Sequence, residues 1–318
     1  MKTMELRPCN RRGTLAVAFT RTMFGIFFAL VIALISVGAH AQSPQDLADP
    51  TPPPTPDATA EVAEPSVAAG PTVYVTDSAG RLATVTLGTY VVHIIGSEGV
   101  VLTDIAFNKD GQLYGVSYTN FYRVNRTTGK ATLIGSLGIR DATALVFDRQ
   151  GVAITAAGNS PELYTINLKT GHASPFASTT YFASAGDLTF YNGYLMESGY
   201  LLDTSDPYLV LLNPTSGKLE LYAALNDPPI PNLLGLVCTG KDKLYGFAGT
   251  SVYQFLLTPT TGTPTTLTTV PLKSLAGKGL AQIWGAAYDG YFLILSRYPS
   301  RMRLDYVDED RHFREPRR

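Results

Sequence analysis

The sequence predicts an all-β protein built from repeated units of four short strands. The clearest unit spans residues 103–138, where short apolar runs alternate with turn signals such as Asp110-Gly111 and Thr128-Gly129. Such glycine pairs favour hairpin turns because glycine adopts a positive φ without strain. Weaker copies of the unit follow at spacings of about 40 to 50 residues. A repeat of that length with four strands per unit, each of about five residues, is typical of a β-propeller blade.

The copies align on the end of their first strand. The five matching segments are TDIAF ending at Phe107, TALVF at Phe147, GDLTF at Phe190, LGLVC at Cys238 and WGAAY at Tyr288. A glycine also recurs at the third turn of the units, as Gly129, Gly171, Gly217 and Gly262. A β-sandwich gives no reason for the same turn to return once per four strands, and a parallel β-helix has a much shorter repeat.

One segment of the repeat has a recognisable form, Leu-Tyr-x-x-Asn-x-x-Thr-Gly followed after five residues by Gly. Residues 163–171 fit its first nine positions, and residues 121–135 fit it apart from the first residue. The pattern resembles that of secreted or periplasmic bacterial β-propeller repeat proteins, many of unassigned function. The resemblance covers residues 72–297 and implies the fold, but it assigns no activity.

The two ends of the repeat region are predicted to share a blade. Strands at residues 73–76, 81–87 and 90–95 lack a first-strand copy before them, whereas the copy at residues 282–288 lacks third and fourth strands behind it. Joining them closes the ring and removes exposed sheet edges. This predicts five blades, and a further apolar run at residues 291–296 leaves six as the alternative.

Residues 1–41 are predicted to be a secretory signal peptide. A basic region containing Lys2, Arg7 and Arg11 precedes an apolar run at residues 23–37, which ends in the small-x-small sequence Ala39-His40-Ala41. An uncleaved membrane anchor is the alternative, because residues 24–41 approach the minimum length of a membrane span. Either way the rest of the chain is expected to be secreted or periplasmic, and membrane contact is expected only if the leader stays as an anchor.

Three further segments are expected after the leader. Residues 42–70 are rich in Pro, Ala, Thr and acidic residues and are predicted to be a disordered linker. Residues 71–298 are predicted to form the propeller. Residues 299–318 carry many charges of both signs and are predicted to be a solvated tail.

Composition and motifs argue against several classes of function. The 25 Lys and Arg residues nearly balance the 26 Asp and Glu residues, so no basic surface for nucleic acid is expected. The chain contains no phosphate-binding glycine loop, no Gly-x-Ser-x-Gly and no His-Glu-x-x-His. The histidines that follow the leader, His93, His172 and His312, stand far apart. No cofactor and no metal site are predicted.

Two aspartates are the main candidate site residues. Asp104 and Asp187 lie three residues before the end of their first strands, where the other copies have Ala144, Gly235 and Gly285. Equivalent positions of innermost strands converge on the axis of a propeller, so the two carboxylates are candidates for acid/base catalysis or for binding a cation or a sugar. The structural interpretation is that each accepts hydrogen bonds from backbone amides.

Glu197 is a further candidate for an inner carboxylate. The many tyrosines, Tyr118 among them, are expected mostly to pack between blades. Tyrosines on loops could instead stack on sugar rings, since the ring is apolar and the hydroxyl is polar.

We predict an exported, monomeric binding module for a protein or a glycan, without catalysis. The alternative is a propeller enzyme that resembles glycoside hydrolases and uses Asp104 and Asp187, and a third hypothesis is a structural role in the cell envelope. Carboxylates open to a cavity and roughly 5 to 10 Å apart would favour the enzyme. Carboxylates bound by backbone amides would favour a structural role for the pair.

Overall fold

Each unit of four strands forms one antiparallel sheet, and the described residues form five such sheets. The computed structural model describes residues 70–290 except for 215, 226–229, 231, 242 and 259–265. Within these residues no helix has the length and apolar character needed to cross a membrane.

The strands of the described region are, in chain order, β1 (Thr72–Asp77), β2 (Arg81–Thr86), β3 (Val91–Ser97), β4 (Asp104–Phe107), β5 (Leu113–Val116), β6 (Asn120–Val124), β7 (Ala131–Ser136), β8 (Ala142–Phe147), β9 (Ala153–Ala157), β10 (Glu162–Ile166), β11 (Ala173–Ser178), β12 (Phe182–Tyr191), β13 (Tyr194–Leu201), β14 (Pro207–Leu212), β15 (Leu219–Ala224), β16 (Leu233–Cys238), β17 (Leu244–Ala248), β18 (Ser251–Thr258), β19 (Thr266–Ser274) and β20 (Ile283–Ala287).

The sheets are arranged as a five-bladed β-propeller, which confirms the fold prediction. Blade I has the order β20-β1-β2-β3, and blades II to V contain β4–β7, β8–β11, β12–β15 and β16–β19. The innermost strands are β20, β4, β8, β12 and β16. Each of them contacts the innermost strand of the next blade, and β16 contacts β20, so the ring is closed.

Blade I joins the two ends of the repeat region, as predicted. Strand β1 pairs with β20 in antiparallel register, with Tyr74 opposite Ala287 and Thr76 opposite Gly285. The Ala281 amide also donates a hydrogen bond of 3.0 Å to Asp77 Oδ2. The run at residues 291–296, on which the six-blade alternative depended, lies outside the described residues.

Apolar side chains fill the spaces between adjacent blades. Each buried hydrophobic cluster in the described region takes its residues from two neighbouring blades. Between blades II and III, for example, the Tyr114 ring stacks on Phe121 and packs against Phe147, with both pairs of ring centroids 5.3 Å apart. Full burial of a side chain such as Phe147 contributes about 2 kcal/mol or more. The blades are therefore held together by side-chain packing rather than by shared strands.

The asparagine of the repeat pattern forms the turn between the third and fourth strands. Asn125 Oδ1 accepts hydrogen bonds from the amides of Thr127 and Thr128 at 2.9 and 3.0 Å. Asn167 Oδ1 binds the amides of Lys169 and Thr170 in the same way, at 2.9 and 3.2 Å. These contacts are Asx turns, in which a side chain replaces a backbone acceptor.

The glycine of the same turn contacts the preceding blade. Gly129 has a φ of 80° and lies so close to Gly96 in blade I that a Cβ atom would be 2.9 Å from the Gly96 backbone. A Cβ atom on Gly171 would likewise lie 2.8 Å from the carbonyl oxygen of Gly135 in blade II. The two glycines of the pattern therefore serve different purposes. One forms the turn, and the other lets the turn of the next blade approach.

Candidate functional site

Asp104 and Asp187 lie together at the centre of the ring. Asp104 begins β4, Asp187 lies in β12, and both side chains are fully buried. Their carboxyl groups form a hydrogen bond with each other. The pair therefore links blade II to blade IV across the axis.

Asp104 also binds the backbone amides of two innermost strands. Its Oδ1 atom accepts a hydrogen bond of 2.7 Å from the Ile105 amide, and its Oδ2 atom accepts one of 2.6 Å from the Leu145 amide on β8. Ile105 and Leu145 hold equivalent positions in their repeats, one residue after the axial position. Asp104 thus ties blade II to blade III.

The carboxyl group of Asp187 faces the three remaining equivalent amides. Its Oδ2 atom accepts hydrogen bonds from Leu236 on β16 at 2.7 Å and from Ala286 on β20 at 3.1 Å. The Leu188 amide lies close enough to the carboxylate to favour its charged form. Amides on the inner edge of a sheet have no strand partner, and a buried amide without an acceptor costs free energy. The two carboxylates together face one amide from each blade.

The environment of the two aspartates favours the protonated form of their carboxyl groups. Burial raises the pKa of both carboxyl groups because the charged form loses its hydration. The charge of Asp187 raises the pKa of Asp104 further, whereas the three amides favour the charged form of Asp187. The pair therefore shares a proton, and we expect it to reside mainly on Asp104 and the negative charge mainly on Asp187.

This geometry differs from that of a glycosidase active site. The two carboxyl groups of such a site flank the bond to be cleaved at a separation of roughly 5 to 10 Å. Here the groups contact each other, are closed off from solvent and bind backbone amides. The arrangement favours the structural interpretation of the pair.

The small residues at the other axial positions give the carboxylates room. Ala144, Gly235 and Gly285 occupy the register of the two aspartates. A Cβ atom on Gly285 would lie 2.3 Å from Asp104 Oδ1 and 2.6 Å from Asp104 Cα. A larger side chain here would displace Asp104 from its amides.

We therefore expect Gly285→Ala to lower the free energy of unfolding by about 3 kcal/mol, the upper range for overpacking a filled site. The turn glycine Gly240 is the matched control, because a Cβ atom there would meet no atom closer than Lys243 Cδ at 3.7 Å. Urea unfolding of the two variants measures the difference. Equal midpoints for Gly285→Ala and Gly240→Ala would contradict the packing seen at the axis.

The innermost strands are irregular just before the axial position. The pairing shifts register between Ala142 and Ala144 in blade III and between Leu233 and Gly235 in blade V. The pairing of β20 with β1 in blade I also shifts register, opposite Thr76 and Asp77. These β-bulges leave single residues unpaired in the ladder. They lie at the face of the propeller where the innermost strands begin. We call this face the start face.

The bulge in blade IV is larger and accompanies an extension of the sheet. Residues 185–187 of β12 lie between the pairs Ser184–Gly199 and Leu188–Glu197, opposite one residue of β13. Strand β12 has ten residues and β13 has eight, longer than the five or so predicted. Strands β12 and β13 pair on both sides of the bulge. The two strands therefore extend beyond the position of Asp187 on the start face.

A cavity of about 510 Å³ opens on the start face beside this extension. It lies over the beginnings of β8, β12 and β16. Its lining residues are Tyr118, Asp141, Thr143, Gly158, Asn159, Ser184, Ala185, Ser198, Gly199, Tyr200, Ser205, Pro207, Leu225, Asn232, Leu233 and Leu234. The volume falls within the range of small-ligand sites, roughly 300 to 1,000 Å³.

The lining mixes polar groups with a larger share of apolar surface, and it is not cationic. It combines hydroxyl and amide side chains, and none of the described lining residues is Lys or Arg. Its acidic residue, Asp141, accepts a hydrogen bond of 2.8 Å from Asn159 Nδ2. The Thr143 Oγ1 atom is buried without a hydrogen-bond partner among the described residues. The cavity thus offers hydrogen-bonding groups with little net charge.

Two aromatic side chains lie at the rim near the axis. Tyr118 follows β5 and is 48% exposed, and its ring centroid is 6.2 Å from that of Trp284. Tyr200 also lines the cavity, and its hydroxyl donates a hydrogen bond to the Gly158 carbonyl. Tyr118 therefore differs from the tyrosines that pack between blades. No sequence pattern indicates this difference, because the exposure of Tyr118 depends on neighbouring loops.

Glu197 lies in β13 and is buried, with 1% of its surface exposed. Burial raises its pKa to about 8, and the adjacent Ser184 hydroxyl partly offsets this effect. Glu197 does not line the cavity, but Ser184 does. The third carboxylate considered in the sequence is thus separated from the aspartate pair and lies behind the cavity wall.

The opposite end of the axis holds a much smaller space. A cavity of about 30 Å³ is lined mainly by apolar residues, including Phe107, Phe147 and Tyr288. It has room for about one water molecule. The described residues contain no group of three or more His, Cys, Asp or Glu side chains that could hold a metal ion.

No known protein-family profile matches the chain, and no curated protein matches it significantly. Similar solved structures include a protein of unknown function from Bacteroides thetaiotaomicron VPI-5482, with 15% identity and a TM-score of 0.46 over 69% of this chain and 62% of that chain. A protein of unknown function from Bacteroides caccae has 14% identity and a TM-score of 0.37 over 68% and 97%. A chain of the nidogen/laminin complex has 13% identity and a TM-score of 0.43 over 68% and 97%. Similarities of this size concern the fold and say nothing about activity.

Proposed function

We propose that this protein is a binding module that holds a glycan in the cavity on its start face. The observation that carries the proposal is the combination of a ligand-sized cavity, a lining that mixes hydroxyl and amide groups with apolar surface, and an exposed tyrosine at its rim. Sugars present hydroxyl groups at their edges and apolar C–H groups on their faces. The cavity offers partners for both.

The charge of the cavity supports a neutral ligand. A site for phosphate or another strongly anionic group uses Arg or Lys side chains or clustered backbone amides. The described lining contains neither cationic residue, and Asp141 would repel an anion. Neutral saccharide units fit this environment better than nucleotides or phosphorylated ligands do.

The enzyme hypothesis depends on Asp104 and Asp187, and their geometry supports it less well. Both carboxyl groups are occupied by amides and by each other, so neither is oriented toward a substrate. Glycan binding needs no such group.

The cellular setting that we propose follows from the sequence. The leader at residues 1–41 supports export, and we propose that a monomeric propeller binds its glycan in the periplasm or outside the cell. The Leu-Tyr-x-x-Asn-x-x-Thr-Gly pattern supports a relation to exported bacterial propeller proteins of that repeat type. A glycan ligand is consistent with such a location.

The proposal predicts that Tyr118→Ala weakens glycan binding by roughly tenfold, because stacking on an aromatic ring contributes on the order of 1 kcal/mol. A glycan array on the full chain identifies the saccharide, and calorimetric titration measures the dissociation constant. The matched control is Tyr181→Ala, which removes a tyrosine that is 62% exposed and does not line the cavity. Equal losses for the two variants, or no saccharide bound by the wild type, would overturn the proposal.

A further inference from the structure

Two exposed side chains on the start face form a hydrogen-bonded pair in the wall of the cavity. Asp141 lies in the connection between β7 and β8, and Asn159 lies in the turn between β9 and β10. Both residues line the cavity, and Asn159 Nδ2 donates a hydrogen bond of 2.8 Å to Asp141 Oδ2. Since both are exposed, the pair is accessible to a ligand in the cavity.

Backbone contacts hold the pair in place. The Gly158 amide donates a hydrogen bond of 2.8 Å to the Asp141 carbonyl, and the Gly158 carbonyl accepts one from the Tyr200 hydroxyl. The Ala142 amide donates a hydrogen bond of 3.0 Å to the Tyr118 carbonyl. The pair is thus connected through neighbouring peptide groups to both tyrosines of the cavity. Groups that are fixed before a ligand arrives lose little entropy when it binds.

The pair has further hydrogen-bonding capacity of both kinds. A carboxylate accepts through two oxygens, and Asp141 Oδ1 accepts no hydrogen bond from a described residue. An amide side chain has one acceptor oxygen and two N–H donors, and Asn159 uses one N–H in its contact with Asp141. Within the described ranges Asp141 forms no ion pair. The pair therefore offers a charged acceptor beside a donor and a second acceptor.

This arrangement suits a sugar better than a metal ion. A cation at Asp141 would need several oxygen ligands, whereas Asn159 presents an N–H group to the carboxylate. A hydroxyl group, by contrast, donates one hydrogen bond and accepts others. Two hydroxyls on neighbouring ring carbons are also about as far apart as two hydrogen-bonded atoms.

We propose that Asp141 and Asn159 bind a vicinal diol of the glycan. Asp141 Oδ1 accepts a hydrogen bond from one hydroxyl, and the side-chain amide of Asn159 binds the neighbouring hydroxyl. This inference rests on the proposed function. It narrows the ligand to saccharides with two adjacent free hydroxyl groups, and it adds two specificity-determining residues to the contact at Tyr118.

The first test measures the dissociation constant of the strongest saccharide on the array, by calorimetric titration of the full chain. Asp141→Asn suits its position, because Asp141 has a φ of 57° and asparagine tolerates that region. We expect this variant to bind about tenfold more weakly or worse, as for the loss of a hydrogen bond to a charged group. The matched control is Asp203→Asn, which changes an exposed aspartate in the turn between β13 and β14 that does not line the cavity. Equal affinities of the two variants would overturn the inference.

Monodeoxy derivatives of the same saccharide locate the contact. Loss of either hydroxyl of the diol should weaken binding to the wild type by roughly threefold or more. Asp141→Asn should lose little further affinity for the derivative that lacks its partner hydroxyl, because both changes remove the same hydrogen bond. Additive losses for every derivative would contradict the assigned contact while leaving the glycan site intact. Failure of the wild type to bind any saccharide would instead reject the proposed function.

Discussion

Replacing Asp187 with alanine is expected to lower the free energy of unfolding by about 4 kcal/mol or more, because each buried amide left without an acceptor costs about 1 to 3 kcal/mol. The change removes the acceptor of the Leu236 and Ala286 amides, which belong to two different blades, and it also removes the charge beside the Leu188 amide of a third. It also removes the partner of the Asp104 proton. Urea unfolding of the full chain, followed by fluorescence, measures the loss.

Asparagine variants keep the prediction testable if Asp187→Ala does not fold. Asp104→Asn retains one acceptor and a donor to Asp187, whereas Asp187→Asn loses the charged acceptor that faces three amides. We therefore expect Asp187→Asn to be clearly more destabilising than Asp104→Asn. The reverse order would show that the proton and the charge are placed on the wrong members of the pair.

Removing the buried carboxyl of Glu98 is expected to change how stability depends on pH. Glu98 is fully buried in the connection between blades I and II. Its Oε2 atom accepts a hydrogen bond of 2.9 Å from Thr76 Oγ1, and its Oε1 atom has no partner among the described residues. Burial raises its pKa from 4.5 to about 8, and the charge of Asp77 adds to this effect.

The sign follows from proton binding. The folded protein holds the Glu98 proton up to a pH of about 8, whereas the unfolded chain releases it near 4.5. The proton held on Glu98 stabilises the fold fully below pH 4.5, and this stabilisation is lost as the pH rises to about 8. The loss in the free energy of unfolding is on the order of 5 kcal/mol. Relative to the wild type, Glu98→Gln should therefore gain stability steadily over this window.

Urea unfolding at several pH values between 4 and 9 measures this difference. Glu220→Gln is the matched control, since Glu220 is an exposed glutamate on β15, and its curve should run parallel to that of the wild type. A Glu98→Gln curve that is also parallel to the wild type would show that the buried carboxyl does not hold its proton.

The sequence by itself determined the architecture of the described region. The turns that define the repeat are local, since residues such as Asn125 and Gly129 fix the chain direction through contacts only a few positions away. Their spacing therefore predicted blades of four strands, and the incomplete units at the two ends predicted the pairing of β1 with β20 and five blades, with six as the alternative. The spacing also gave the register of Asp104 and Asp187, because equivalent positions of a closed ring meet at its axis.

Only the tertiary structure decided what those residues do. The amides that bind the two aspartates come from blades far apart in the chain, so the sequence does not indicate which carboxylate serves which strand. The bulges and the extension of β12 depend on neighbouring blades in the same way, and they form the cavity at Ser184. The protonation of Glu197 likewise follows from burial, which no local pattern specifies, because desolvation depends on everything packed around the group.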